Sequence, residues 1–201
     1  MNEKMTVQWF PGHMAKTRRL IKESLSLVDA VCEIVDARIP MSSRNPDIDS
    51  ICGNKPRIII LNRMDLADPN ATKKWAAYFR AKGYAVLESD AKDGMGTAKF
   101  AGAIRELLAD KIAAYTEKGQ AGRMIRVMVL GIPNVGKSSL INRICGNKKA
   151  KVENRPGVTV DKAWYSTSIG IDLMDMPGLL WPKFEDPEVG FKLAFIGSVK
   201  D

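Results

Sequence analysis

Eight residues, Gly131-Ile132-Pro133-Asn134-Val135-Gly136-Lys137-Ser138, fit the pattern GxxxxGK[ST], with an apolar run before them and a helical stretch after. Glycines let backbone N–H groups approach and wrap phosphate oxygens, and a helix N-terminus adds its partial positive charge. The amides around Asn134, Val135, Gly136 and Ser139 are the expected cradle. Lys137 brings a point charge to the terminal phosphates, and the Ser138 hydroxyl can ligate Mg²⁺. The competing reading is an ordinary glycine-rich turn, and the flanking strand and helix argue against it.

Downstream, Asp175-Met176-Pro177-Gly178 follows another apolar run. A carboxylate at a strand end can hold Mg²⁺, directly or through water, and Gly178 can offer its N–H to a γ-phosphate. Taken alone, DxPG is a common turn; its place after a phosphate loop is what gives it meaning. Between the two lies Arg155-Pro156-Gly157-Val158-Thr159. Thr159 is expected to complete the Mg²⁺ shell when the γ-phosphate is present and to release it on hydrolysis. These residues describe in-line attack of water on a γ-phosphate, with Lys137, Mg²⁺ and backbone amides stabilising charge. Leu179 stands where Ras-type GTPases carry a glutamine that orients the water. Leucine cannot hydrogen-bond water, so intrinsic hydrolysis is expected to be slow and a partner to help assemble the site.

A base-reading signal sits earlier in the chain. Asn62-Arg63-Met64-Asp65 follows the apolar run Ile58 to Leu61 and matches the NKxD guanine motif, with Arg63 in place of Lys. A carboxylate at Asp65 accepts from guanine N1–H and the 2-amino group, a fork that adenine lacks. Arg63 is expected to lie along the base, though not as a lysine stem would. Ser89-Asp90-Ala91-Lys92 loosely resembles the SAK-type loop that also touches the base, through Ser89 and Ala91. The order is therefore base, base, phosphate, switch I, switch II, a circular permutation of the usual one. A sheet tolerates this, because joining old termini and opening a surface loop leaves the core contacts unchanged.

The elements that must position these loops alternate in type. Strands are expected at 28–35, 58–61, 84–87, 125–130, 163–169 and 171–174. Helices are expected at about 14–27, with Met14, Leu20, Leu25 and Val28 inward, and at 69–82, 99–115 and 137–144. That alternation implies an α/β fold of three layers, a mostly parallel sheet with helices on both faces. Residues 1–27 read as a basic helical extension and 28–201 as a circularly permuted P-loop GTPase domain. Within it, 28–115 is the base-reading half, 116–124 the linker and 125–201 the phosphate-binding and switch half.

Of the 201 residues, 45% are hydrophobic, enough for a proper core, and no apolar run has the length of a membrane span. The N-terminus carries no apolar leader, so a cytoplasmic protein without membrane contact is expected. Cys32, Cys52 and Cys145 show no CxxC spacing, which leaves reduced thiols. A net charge of +8 suits either a soluble basic protein or a polyanionic partner such as nucleic acid. Lys16 to Lys22 and Arg143 to Arg155 are the densest basic runs; each reads as a solvated surface or as a phosphate-backbone contact.

The motifs together resemble the circularly permuted GTPases, most closely the ribosome biogenesis GTPase A (YlqF-type) family. The resemblance covers nearly the whole length. It rests on Trp9-Phe10-Pro11-Gly12-His13-Met14, Asp36-Ala37-Arg38-Ile39-Pro40, Ser43-Arg44-Asn45-Pro46, Asn62 to Asp65, Gly131 to Ser138, Pro156 to Thr159 and Asp175 to Gly178. It implies GTP and GDP as ligands, the large ribosomal subunit precursor and its rRNA as partners, and hydrolysis stimulated there. It suggests that His13, the one histidine, helps position the hydrolytic water; the alternative is a packing or turn histidine. Asn134 has two readings, a K⁺ ligand beside the phosphates as in other GTPases lacking the glutamine, or a residue chosen for turn geometry. Family members usually continue into a helical C-terminal domain; this sequence is expected to lack it, which puts ribosome binding by this chain in question. A monomer is expected. Two other readings remain, an ATPase in which Arg63 has weakened guanine reading and an RNA scaffold with negligible turnover.

Overall fold

The structure, a computed structural model, describes residues 11–146, 161–181 and 184–199. Among the described residues six strands form one sheet: β1 (Ala30–Asp36), β2 (Arg57–Asn62), β3 (Ala85–Glu88), β4 (Ile125–Gly131), β5 (Ala163–Ser166) and β6 (Ile171–Asp175). They lie in the order β3-β2-β1-β4-β6-β5. Every pairing is parallel except β5 with β6. β1 and β2 are buried along their whole length, as strands covered on both faces must be.

Side-chain alternation divides the core. Ala30, Cys32, Ile34, Ile58, Ile60, Val127 and Val129 pack with Phe100, Ile104, Leu140 and Ile141. Those partners come from α4 (Phe100–Leu107) and α6 (Lys137–Cys145). On the other face Val31, Met128, Leu130 and Met174 meet Ile21 of α1 (Pro11–Ser24) and Ile48 and Ile51 of α2 (Ile48–Cys52). Val35, Ile59 and Leu61 of that same face meet Ala76 and Phe79 of α3 (Pro69–Ala81). The three-layer expectation holds.

Local details depart from the sequence reading. The single helix expected over 99–115 is two, α4 and α5 (Ala109–Glu117), because Leu108 leaves helical geometry at φ −108° and ψ 17°. Backbone bonds from Leu108 N to Ile104 O and from Ile112 N to Leu108 O cross the bend, so it lets the buried Leu108 turn inward without losing them. In α1 the buried positions are Met14, Thr17, Ile21 and Ser24, whereas Leu20 and Leu25 are only half-buried. β5 ends at Ser166 rather than 169, since Thr167 to Gly170 form the turn into β6. Among the described residues, no helix is long and apolar enough to cross a membrane.

The topology itself selects a site. The chain runs outward from β1 to β2 and β3, then returns to place β4 on the opposite side of β1. Such a reversal opens a crevice at the carboxyl ends of the central strands, where α/β sheets bind ligands. Asp36, Asn62, Gly131 and Asp175 are the last residues of β1, β2, β4 and β6.

Candidate active site

The phosphate loop leaves β4 at Gly131 and needs backbone that side chains resist. Gly136 stands at φ +101°, and a Cβ there would lie 2.3 Å from Asn62 Nδ2. At Gly131 a Cβ would come 2.8 Å from the carbonyl of Ile34. Asn134 also has positive φ, at 62°, a conformation that Asn tolerates better than most residues. α6 begins immediately after, with no acidic residue in its first turn to compete for an anion. Ser138 and Ser139 lie in that turn, both half-buried.

Lys137 is buried, and its ammonium donates to the carbonyls of Gly131 at 3.4 Å and Ile132 at 3.1 Å. Burial pushes its pKa below the usual lysine value, while the nearby Asp175 charge pulls the other way. The lysine therefore curls over its own loop, a position from which polyphosphate oxygens would draw it outward.

The segment after β6 closes against this loop. Gly178 packs so tightly that a Cβ would fall 2.8 Å from Pro133 N. Leu179 N donates to Gly131 O at 3.2 Å. The Leu179 side chain is buried with Ile21, Met174 and Met176, so it fills the core. Asp175 is buried at the end of β6. Among the described residues no three His, Cys, Asp or Glu side chains converge as a metal cage. One carboxylate and one hydroxyl, Asp175 and Ser138, are the hard oxygen donors that suit Mg²⁺ completed by phosphate and water.

Across the crevice, Asn62 joins the two halves of the chain. Its Nδ2 donates to Val135 O at 2.8 Å, and its Oδ1 accepts from Ser89 Oγ at 3.2 Å and Ala91 N at 3.0 Å. The loops that follow β2, β3 and β4 thus meet on one buried carboxamide. Arg63 follows at φ 60°, and Asp65 lies exposed in the single 3₁₀ turn Met64–Leu66. Arg143 of α6 reinforces the join by donating to the carbonyls of Ala91 and Lys92. Gly96 lies against the Glu88 carbonyl, where a Cβ would be 2.1 Å away, and so keeps the loop after β3 compact.

Several residues with a part in the site carried no assigned role in the sequence. Asp36 binds Arg38 and Arg63. Asn45 Nδ2 donates to Leu179 O at 3.0 Å. Helix α7 (Pro187–Phe195) leads into Gly197 and Ser198, which meet the phosphate loop. Asn134 Nδ2 donates to Gly197 O at 2.5 Å and Ser198 Oγ to Pro133 O at 2.7 Å. Only the resemblance motifs around Asp36 and Asn45 pointed that way; nothing in the spacing signals Ser198. Thr159 and the run Lys148 to Arg155 lie outside the described residues. His13 is exposed on the first turn of α1, and the described contacts do not bring it to the phosphate loop.

A P-loop on the second half of the chain, joined through Asn62 to the strand-end loops after β2 and β3 on the first half, is the arrangement of a circularly permuted P-loop GTPase. Comparisons agree. The family described as "50S ribosome-binding GTPase" matches residues 126–199. A Ribosome biogenesis GTPase A from Priestia megaterium is 52% identical over 198 residues, covering 98% of this chain and 69% of the relative. Another from Bacillus cereus is 49% identical over 197 residues, covering 98% and 67%. The GNP-bound YlqF from T. maritima superposes with a TM-score of 0.64 at 29% identity, covering 92% of this chain and 66% of that one. The chain belongs to the ribosome biogenesis GTPase A family, and spans about two thirds of the length of these relatives.

Proposed function

We propose that this GTPase is a Mg²⁺-dependent switch in late assembly of the large ribosomal subunit, acting on rRNA-containing precursors in the cytoplasm. The observation that carries it is the Asn62 carboxamide, which bonds Val135 and the Ser89–Ala91 loop; that join supports reading the first half as a base reader and the second as a phosphate cradle. Asp65 would accept from guanine, and the amides from Val135 to Ser139 would wrap the β-phosphate. Lys137 would leave its loop carbonyls for the β- and γ-phosphates, and Gly178 N–H would meet the γ-phosphate. Ser138, Asp175 and Thr159 would hold Mg²⁺, which when bound neutralises charge building on the phosphate oxygens.

Leu179 provides no group to orient water, so positioning must come from elsewhere. Two sources are proposed, His13 and a K⁺ held by Asn134 after its carboxamide leaves Gly197. The names of the relatives support ribosome association. The net charge of +8 and the basic run 143–155 support contact with RNA backbone.

Competition against fluorescent GDP tests the reading. GTP should displace it at least a hundredfold better than ATP, and large-subunit precursors should raise phosphate release. Displacement by ATP at equal concentration would instead favour the ATPase reading. Comparing K⁺ with Na⁺, and His13→Ala with the parent, tests each proposed source separately.

A further inference from the structure

Asp36, the last residue of β1, is fully buried and faces Asn62 in the register of β1 with β2. Its Oδ1 accepts from Arg38 N at 3.0 Å and Arg38 Nε at 2.9 Å. Its Oδ2 accepts from Arg38 Nη2 at 2.7 Å and Arg63 Nη1 at 3.2 Å. A second Arg63 nitrogen, Nη2, donates to the phosphate-loop carbonyl of Asn134 at 2.6 Å. One carboxylate therefore grips two guanidinium groups, and one of these also reaches the phosphate loop.

The arrangement bears on Asp65 through the backbone of Arg63 and the charge of Arg38. Arg63 precedes the 3₁₀ turn that carries Asp65 and holds a left-handed backbone, φ 60° and ψ 37°, which a side-chain residue keeps only when anchored. Arg38, held by the same Asp36 carboxylate, lies close enough to feel the Asp65 charge. Arg63 is also the residue that departs from the lysine of the guanine motif. A lysine ends in one compact ammonium, whereas the planar fork gives Asp36 and Asn134 each a separate nitrogen.

We propose that Asp36 is a positioning residue for guanine selectivity, holding Arg63 and Arg38 so that Asp65 is set at the height and angle the guanine N1–H and 2-amino group require. This rests on Asp65 being the base reader. Hydrogen bonds to a base fail steeply with small displacements, so loosening the anchor should cost selectivity and not only affinity.

Asp36→Asn keeps the shape and removes the charge. Fluorescent GDP binding and competition by inosine diphosphate, which lacks the 2-amino group, would be measured with a thermal melt of each variant. The expected result is a GDP Kd raised tenfold or more and a GDP-over-IDP preference shrunk at least threefold. Arg63→Lys should behave alike, and the double variant should be little worse than either single one. Should Asp36→Asn fail to fold, Arg63→Lys carries the test, because that side chain is partly exposed. Equal losses for GDP and IDP, or an unchanged preference in both variants, would overturn the proposal. Asp65→Asn separates the two readings. It should exchange GDP for xanthosine diphosphate, whose C2 carbonyl can accept from the new amide; retained GDP binding would overturn the base reader itself.

Discussion

Leu179 gives its main chain to the phosphate loop and its side chain to the core beside Met174 and Met176. A glutamine placed there would not inherit the role it has in Ras-type enzymes. Its amide would enter an apolar cluster, at a cost of about 2 kcal/mol for an unpaired buried group. Leu179→Gln is therefore expected to melt at lower temperature while releasing phosphate no faster than the parent. A faster release rate would show that the side chain can turn toward the nucleotide. Asn134 is similarly committed, in a left-handed backbone and with its carboxamide on Gly197.

Between β1 and α2 a single connection touches both halves of the site. Asp36 N donates to Ser43 Oγ at 2.9 Å, and two residues on Asn45 donates to Leu179 O. Asn45 also accepts from Asp47 N at 2.9 Å, which fixes its carboxamide. Asn45→Ala should free the main chain of the segment after β6. Steady-state assays are expected to show kcat lowered several-fold with GDP affinity little changed. A second join lies at the opposite end of β1. Asp29 accepts from Tyr115 Oη at 2.7 Å, Lys111 Nζ at 2.8 Å and Arg126 N at 2.9 Å, tying α5 to the start of β4. Burial by itself would raise its pKa, but these partners outweigh that and hold it below the usual aspartate value. A depressed folded-state pKa adds stability above the unfolded value, near 3.9, that is lost as pH falls through the folded one. Asp29→Asn should therefore be less stable than the parent at neutral pH by about 1–2 kcal/mol, because hydrogen bonds to a charged group are lost. Denaturant melts at descending pH should show that gap narrowing below about pH 4.

At the scale of the molecule, permuted order and ordinary architecture coexist because the sheet records neighbours in space and not in sequence. The loop from Lys118 to Met124 carries the chain from α5 back to the central β4, and its residues are exposed. We read it as the join that permutation requires. A flexible Gly-Ser insertion after Gly119 should cost under about 1 kcal/mol, since loop-closure entropy grows slowly with length. GDP affinity should stay within twofold; a large loss would mean that the loop transmits strain between the halves.

What was legible in the sequence is what a short stretch determines alone. The phosphate loop, its flanking strand and helix, and the alternation into a layered α/β sheet all arise from local pattern, because glycine placement, apolar runs and helix starts act within a few residues. The five-residue α2 was too short to show a helical period, and the bend at Leu108 follows from packing that sequence spacing does not contain. The tertiary structure alone decided that Asn62 meets Val135 across 73 positions, that Asp36 holds Arg63, and that Leu179 faces inward. Those contacts depend on strand order, and strand order is fixed by which buried faces pack together once the whole sheet has formed.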